Sequence, residues 1–309
     1  MSQIRGGFNH NRTLERGKRR MSVLATVSRQ APVVLAGPTA SGKSALAMEL
    51  AARDGRTIVN ADALQVYGNW RVLTARPSLA EEAALPHALY GHVGRADPYS
   101  VGDWLRELAP LLDRPVVIVG GTGLYLSSLT EGLAAIPPIP SEVRRQADAL
   151  RLEGGLPALL SGIDPETAAR IDRFNPMRVQ RAWEVQAATG RGLAAWQRAT
   201  GPALLPAAGC ERLVLRPEVA VLDARIARRF RQMVETGALD EARAEAPVFD
   251  PALPSSRAIG ASELIAQLRG LTSLDQAVAA AVLASRQYAK RQRTWLRSRM
   301  GDWREITAG

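Results

Sequence analysis

The chain has 309 residues, 46% of them hydrophobic, with one cysteine (Cys210), three histidines and a formal net charge of +10. That length supports one large domain or two smaller ones with a real core, while a single cysteine excludes an internal disulfide and the sparse histidines argue against structural zinc. No apolar run reaches the roughly 18–20 residues that span a bilayer. The basic amino terminus has no apolar segment behind it to make a secretory signal, and the cysteine count fits a reducing, cytoplasmic setting.

The charge invites a nucleic-acid partner, but it is unevenly placed. Residues 1–30 carry seven Lys/Arg against Glu15 alone, so they hold +6 of the net charge and the rest of the chain only +4. Such a polar, basic stretch is expected to be a disordered extension. Met21 follows its basic run and is an alternative start.

Residues 32–36 read as a short buried strand, followed by a Gly-rich loop and a helix over about 43–53. Residues 57–60 read as a second strand, and residues 115–119 as a third that runs into Gly120-Gly121. Short apolar runs without alternation suit a parallel sheet covered on both faces. The strand–helix alternation predicts a doubly wound α/β domain. Ile136-Pro137-Pro138-Ile139-Pro140 is a stiff linker, and residues 141–200 are helical in pattern. A further strand is expected at 212–215, with helices from Val221 onward. The predicted organisation is a disordered extension over 1–30, a P-loop NTPase-like α/β core over 31–135 and 204–309, and an inserted all-helical domain over 136–203.

Gly37-Pro38-Thr39-Ala40-Ser41-Gly42-Lys43-Ser44 completes the phosphate-loop pattern G-x-x-x-x-G-K-[S/T] between strand and helix. Its glycines let backbone amides converge on phosphate oxygens at a helix N-terminus. Lys43 adds a point charge, and Ser44 offers a hydroxyl to Mg²⁺. The pattern says phosphate, with ATP as its default ligand. A routine NTPase ends a later strand with an acid that holds Mg²⁺, whereas here that strand ends in Gly120-Gly121. Asp62, just past the second strand, is placed at the ligand crevice of an open parallel sheet. There a carboxylate can help hold Mg²⁺ or take a proton from a nucleophile; capping a following helix is the alternative.

Residues 285–299 hold six basic side chains and no acid. Arg286, Lys290, Arg293 and Arg297 fall at i, i+4, i+7 and i+11, on one helical face. Such a stripe suits a phosphate backbone, or is simply a solvated face. Tyr288 and Trp295 read as core anchors.

Six segments together carry a resemblance: GPTASGKS (37–44), NADALQVY (60–67), TARP (74–77), DPYS (97–100), GGTGLYLSSLTEGL (120–133) and SRQYAKRQRTWLR (285–297). In this order they resemble the bacterial tRNA dimethylallyltransferases, over about residues 32–303. The resemblance implies transfer of a dimethylallyl group from dimethylallyl diphosphate to N6 of the adenosine 3′ of the anticodon (position 37), by a monomer whose P-loop binds the donor diphosphate. It implies a helical insertion that grips the anticodon stem-loop and a target base flipped from its stack. By the same resemblance Asp62 is the base and Thr122 a channel residue that contacts tRNA; Thr122 also reads as a plain turn residue. Arg229 is a further candidate for the diphosphate, or part of an exposed charged helix face. The implied tRNA contacts are Asp62, Ala63, Leu64 and Gln65; Arg144; Met177, Arg178, Val179, Gln180 and Arg181; Arg257, Ala258, Ile259, Gly260, Ala261 and Ser262; and Lys290, Arg291, Gln292, Arg293, Thr294, Trp295, Leu296 and Arg297. Two departures stand out: Ala63 where the family commonly has Ser, and Ala261 where it commonly has Tyr. A P-loop small-molecule kinase and a non-catalytic RNA-binding protein are the competing readings.

Overall fold

The computed structural model describes residues 24–306. Six strands, β1 (Val33–Ala36), β2 (Thr57–Asn60), β3 (His87–Ala88), β4 (Val116–Gly120), β5 (Glu211–Leu215) and β6 (Arg304–Ile306), form one sheet in the order β3-β2-β4-β1-β5-β6. Every pairing is parallel. β1, β2, β4 and β5 fall within a residue of their predicted positions. β3 and β6 were not legible: one has two residues and the other contains Arg304-Glu305. β6 also corrects the expectation that the chain is helical to its end.

The sheet is buried on both faces, as its unbroken apolar strands require. Val33, Leu35, Ile58, Val117, Val119 and Leu213 pack with Leu46, Ala47 and Leu50 of helix α1 (Lys43–Asp54). The alternate residues Val34, Val59, Val116, Ile118 and Val214 pack on the other side. They meet Trp104 and Leu108 of α3 (Val101–Leu108) and Tyr125, Leu126 and Leu129 of α4 (Gly123–Glu131). A short helix α2 (Leu79–Ala84) precedes β3, and both α2 and α3 start at serine capping boxes. The register sets Ala36 beside Gly120 and Asn60 beside Val119, so the carboxyl ends of β1, β2 and β4 finish level. In a parallel sheet that edge is where ligands bind.

Chain packing divides the protein into two units. One runs to Thr130 and resumes at Leu205; the other is Glu131–Leu204. The second holds α5 (Ser141–Leu160), α6 (Pro165–Arg170), α7 (Pro176–Thr189) and α8 (Leu193–Arg198) around Ala147, Leu159, Ile163, Val179 and Ala182. Asp164 and Asn175 cap α6 and α7, each followed by a proline that suits the first helical position. In the first unit, α9 (Val219–Met233), α10 (Leu239–Glu245), α11 (Ala261–Leu268) and the long α12 (Leu274–Arg299) enclose a further core around Trp70, Ile226, Phe230, Leu264 and Ala281. No helix among the described residues is long and apolar enough to cross a membrane.

Most of the predicted disordered extension lies outside the described residues, but residues 24–30 do not, and they are not disordered. Val27 is buried against the sheet. Arg56, fully buried, donates to the carbonyls of Ser28 (2.6 Å), Ala31 (2.7 Å) and Val116 (3.1 Å) and pairs with Asp54 at 2.9 Å. The charge is tolerable there because all three of its nitrogens are hydrogen-bonded and the Asp54 carboxylate balances it.

Gly120 is the tightest point of the sheet edge. A Cβ there would lie 2.0 Å from the Ala61 carbonyl oxygen and 2.7 Å from the Ala61 Cβ. Gly120→Ala must therefore push β2 and β4 apart. It is expected to cost about 1–3 kcal/mol, the range for overpacking a close-packed site, read as a lower midpoint in urea unfolding. An unchanged midpoint would show that the strand ends relax freely.

Candidate active site

The phosphate loop leaves β1 at Gly37, whose N–H donates to the Gly120 carbonyl at 3.3 Å. The loop turns back at Ser41 N–H to the Pro38 carbonyl (3.2 Å) and enters α1 through Gly42, held at φ 93°. That conformation is open to glycine and strained for other residues. Ala40, at φ 60°, is one of the few non-glycine residues in the same region. Ser41 is buried and its hydroxyl has no hydrogen-bond partner among the described residues. The ammonium of Lys43 donates to the Pro38 carbonyl at 3.3 Å, and the Ser44 side chain is exposed at the first turn of α1.

Asp62 leaves β2 in a rigid turn, not as the cap of a following helix. Asn60, fully buried, brackets it: its carboxamide accepts from the Asp62 N–H (2.8 Å) and donates to the Asp62 and Leu89 carbonyls (both 3.0 Å). The buried indole of Trp104 donates to the Asn60 carbonyl at 2.7 Å. One carboxylate oxygen of Asp62 accepts from the Leu64 N–H at 3.0 Å. Thr122 closes the turn from β4. Its N–H reaches the Ala61 carbonyl (3.3 Å) and its hydroxyl accepts from the Ala63 N–H (2.9 Å). At position 63 the contact with Thr122 is made by the backbone N–H and does not involve the side chain.

Asp62, Thr39, Thr74, Arg229, Ser285 and Tyr288 give a cleft its polar lining, and Leu64, Leu73, Ile226, Phe230, Met233 and Ile259 much of its apolar lining. Such a mixture fits a ligand with a charged head and a hydrocarbon part. Arg229 is half-buried in this cleft, so it is not on an exposed helix face. Burial pulls the pKa of Lys43 down to about 8; Asp62 works against that shift and Arg229 adds to it. Burial also lowers the Arg229 guanidinium, with Asp62 again opposing. Burial, with Asp62, pushes the Tyr288 phenol up, so it stays protonated at neutral pH. The site thus holds two desolvated cations balanced by one carboxylate, short of an anion.

β4 delivers no acid to this edge, and no group of three or more His, Cys, Asp or Glu side chains that could cage a metal occurs among the described residues. The donor set still fits Mg²⁺ in the loosely held form it takes beside phosphates, where one hydroxyl such as Ser44 completes a shell of substrate oxygens and water.

The segments implied to contact tRNA are split by burial. On α12, Lys290, Arg291, Thr294 and Arg297 are exposed and Arg293 and Trp295 half-buried, but Gln292 and Leu296 are inside the protein. Gln292 instead accepts from the Thr39 N–H (2.8 Å) and donates to the Gly121 carbonyl (2.9 Å). The Arg293 Nε and Nη1 atoms are buried without a partner among the described residues. Of Arg257, Ala258, Ile259, Gly260, Ala261 and Ser262, only Arg257 and Ser262 are exposed; Ala258, Gly260 and Ala261 are core. Ala261 has no exposed surface at all, so its side chain touches no substrate. In the second unit Arg144, Met177, Arg178 and Arg181 are exposed; partial burial lowers the Arg181 guanidinium, Glu184 opposes that shift and Arg144 adds to it. Val179 is core there, and Gln180 bonds Asp148 and Glu184. Helical spacing alone separates these classes once the buried face is known. Asn60 and the buried role of Gln292 left no such signal, because lone carboxamides at a strand end and in a basic helix have no pattern.

The "IPP transferase" family model matches residues 65–299, and the "Isopentenyl transferase" model matches residues 31–86. The chain is 65% identical to the tRNA dimethylallyltransferase of Cereibacter sphaeroides, covering 89% of this chain and 95% of that one. It is 54% identical to that of Paracoccus denitrificans, covering 94% and 99%. Among solved structures, the tRNA isopentenylpyrophosphate transferase of Bacillus halodurans superposes with a TM-score of 0.63 at 31% identity, covering 91% of each chain. A eukaryotic dimethylallyltransferase acting on tRNA superposes at 0.76 with 25% identity, covering 90% of this chain and 74% of the other. With that cleft, that phosphate loop and these matches over nearly its whole length, the chain belongs to the tRNA dimethylallyltransferase family.

Proposed function

We propose that the protein transfers a dimethylallyl group from dimethylallyl diphosphate to the exocyclic N6 of the adenosine 3′ of the anticodon, position 37, in tRNA, releasing diphosphate. The observation that carries this is the pairing of a phosphate loop with Asp62 across a strand end that offers Gly120-Gly121 in place of a metal-binding acid. The loop amides, Lys43 and Arg229 take the diphosphate, and the apolar lining takes the five-carbon chain. The exocyclic amine attacks the carbon bearing the diphosphate: an N–C bond forms, the C–O bond breaks, and Asp62 takes the amine proton. Charge builds on the leaving oxygen, where fixed donors in a desolvated site are most effective. Mg²⁺ on Ser44 and the phosphates would supply further charge neutralisation. Thr122 holds the Asp62 turn while presenting its hydroxyl to the acceptor side.

On the RNA side, the exposed cations Lys290, Arg291 and Arg297 on α12, the half-buried Arg293 and the exposed Arg257 are assigned to phosphates, as are Arg144, Arg178 and Arg181 of the helical unit, which is assigned to the anticodon stem-loop. The protein is assigned to the cytoplasm as a monomer.

Incubation with unmodified tRNA and labelled dimethylallyl diphosphate is expected to put label on tRNA, and γ-labelled ATP is expected to label nothing. Phosphoryl transfer without prenylation would make this a kinase. Asp62→Ala is expected to slow turnover by about 10²–10⁴-fold, the usual contribution of a general base, with tRNA affinity largely unchanged. An unaltered rate would remove Asp62 from that role. Because the Lys43 pKa is drawn down to about 8, its charge is present below that pH and lost above it. Donor affinity should therefore be flat at neutral pH and weaken as pH rises through about 8. Isothermal titration with an unreactive donor analogue reads this, and a profile flat through pH 10 would contradict it.

A further inference from the structure

Gln292 sits on a helix whose outer face is basic, yet its side chain points the other way and only 6% of it is exposed. Its two polar atoms join segments far apart in sequence. The carbonyl oxygen accepts from the Thr39 N–H of the phosphate loop at 2.8 Å, and the amide nitrogen donates to the Gly121 carbonyl at 2.9 Å. Gly121 makes room for it: a Cβ there would stand 2.2 Å from the Gln292 nitrogen. The Tyr288 phenol, one turn earlier on α12, lies near the Thr122 and Gln292 side chains. The Thr122 hydroxyl in turn accepts from Ala63, next to Asp62. Gln292 therefore ties the phosphate loop to Gly121, and the next residue, Thr122, ties that turn to the one that carries the carboxylate.

We propose that Gln292 is a positioning residue of the donor site, holding the Thr39 end of the phosphate loop at a fixed distance from the Gly121-Thr122 turn. This rests on the reading that the loop binds the donor diphosphate. A glutamine suits the place because one planar group must accept from an N–H and donate to a C=O at once. Glutamate lacks the donor, and asparagine is a methylene shorter. Thr39 spends its N–H on Gln292, which fixes the loop from behind and leaves the amides nearer α1 to converge on a phosphate. A loop held in its binding shape loses less freedom when the ligand arrives, so breaking the strut weakens donor binding without touching the donor.

The test separates this from a tRNA contact. Gln292→Met keeps the volume and loses both bonds. It is expected to raise the KM for dimethylallyl diphosphate about tenfold, the scale of one or two buried hydrogen bonds. The tRNA dissociation constant, measured by filter binding, should stay within about twofold, while the thermal midpoint falls by no more than a few degrees, about what one or two unmade buried bonds cost. Gly121→Ala, which displaces the Gln292 amide from the opposite side, should reproduce that pattern and carries the test if the first variant does not fold. Lys43→Ala is the control for the underlying reading. If it raises the donor KM while the two strut variants leave it unchanged, the strut is overturned and the phosphate-loop reading stands. If Lys43→Ala itself leaves the donor KM unchanged, the loop does not hold the donor and the proposal falls with it. Weakened tRNA binding with unchanged donor KM would make Gln292 an RNA contact. Proportional loss of both, with a lower midpoint, would make it ordinary core.

Discussion

The active-site edge depends on two missing side chains at the end of β4. Because Gly120 has no Cβ, the Ala61 carbonyl can approach to a distance that any other residue would block. The Gly37 N–H reaches the Gly120 carbonyl, and the Thr122 N–H reaches Ala61. Because Gly121 has none either, the Gln292 carboxamide fits beside its carbonyl. The ends of β1, β2 and β4 and the buried side of α12 are thereby drawn together. The phosphate loop and Asp62 face the same cleft as a result, although β4 lies between their two strands in the sheet. In a nucleotide hydrolase an acid near this position would hold a metal; here the space is occupied by protein backbone.

Electrostatics then sets what the cleft accepts. Lys43 and Arg229 are both desolvated, which costs energy while they are charged, and Asp62 offsets only part of it. An incoming diphosphate would relieve that imbalance and keep Lys43 charged to higher pH. Hydrophobic residues from β2's exit loop, α9 and the segment before α11 complete the lining, and they give a short hydrocarbon a dry environment.

The central strands, the phosphate loop and α1 were legible because each has a strong local pattern: an unbroken apolar run, or glycines at fixed spacing before a helix. The short edge strands β3 and β6 were not, since two or three residues carry no period and their place is decided by pairing. Residues 24–30 read as part of a basic tail, yet Arg53 binds the Leu24 and Val27 carbonyls and the buried Arg56 that of Ser28, and two such arginines leave no trace in composition. At the site, Lys43 and Asp62 could be singled out by motif and strand end. Val179, Ala258, Ala261, Gln292 and Leu296 could not be sorted from their exposed neighbours, because a contiguous contact segment ignores the alternation of faces that helices impose.

The most direct measurement is a crystal structure of the protein with tRNA and a donor analogue whose bridging oxygen is replaced by sulphur, which slows the transfer. Diphosphate on the loop amides and Lys43, with the donor's first carbon between the bridging atom and an adenine amine facing Asp62, is the expected result. Diphosphate bound elsewhere, or Asp62 coordinating a metal on the phosphate side with no amine near it, would contradict it.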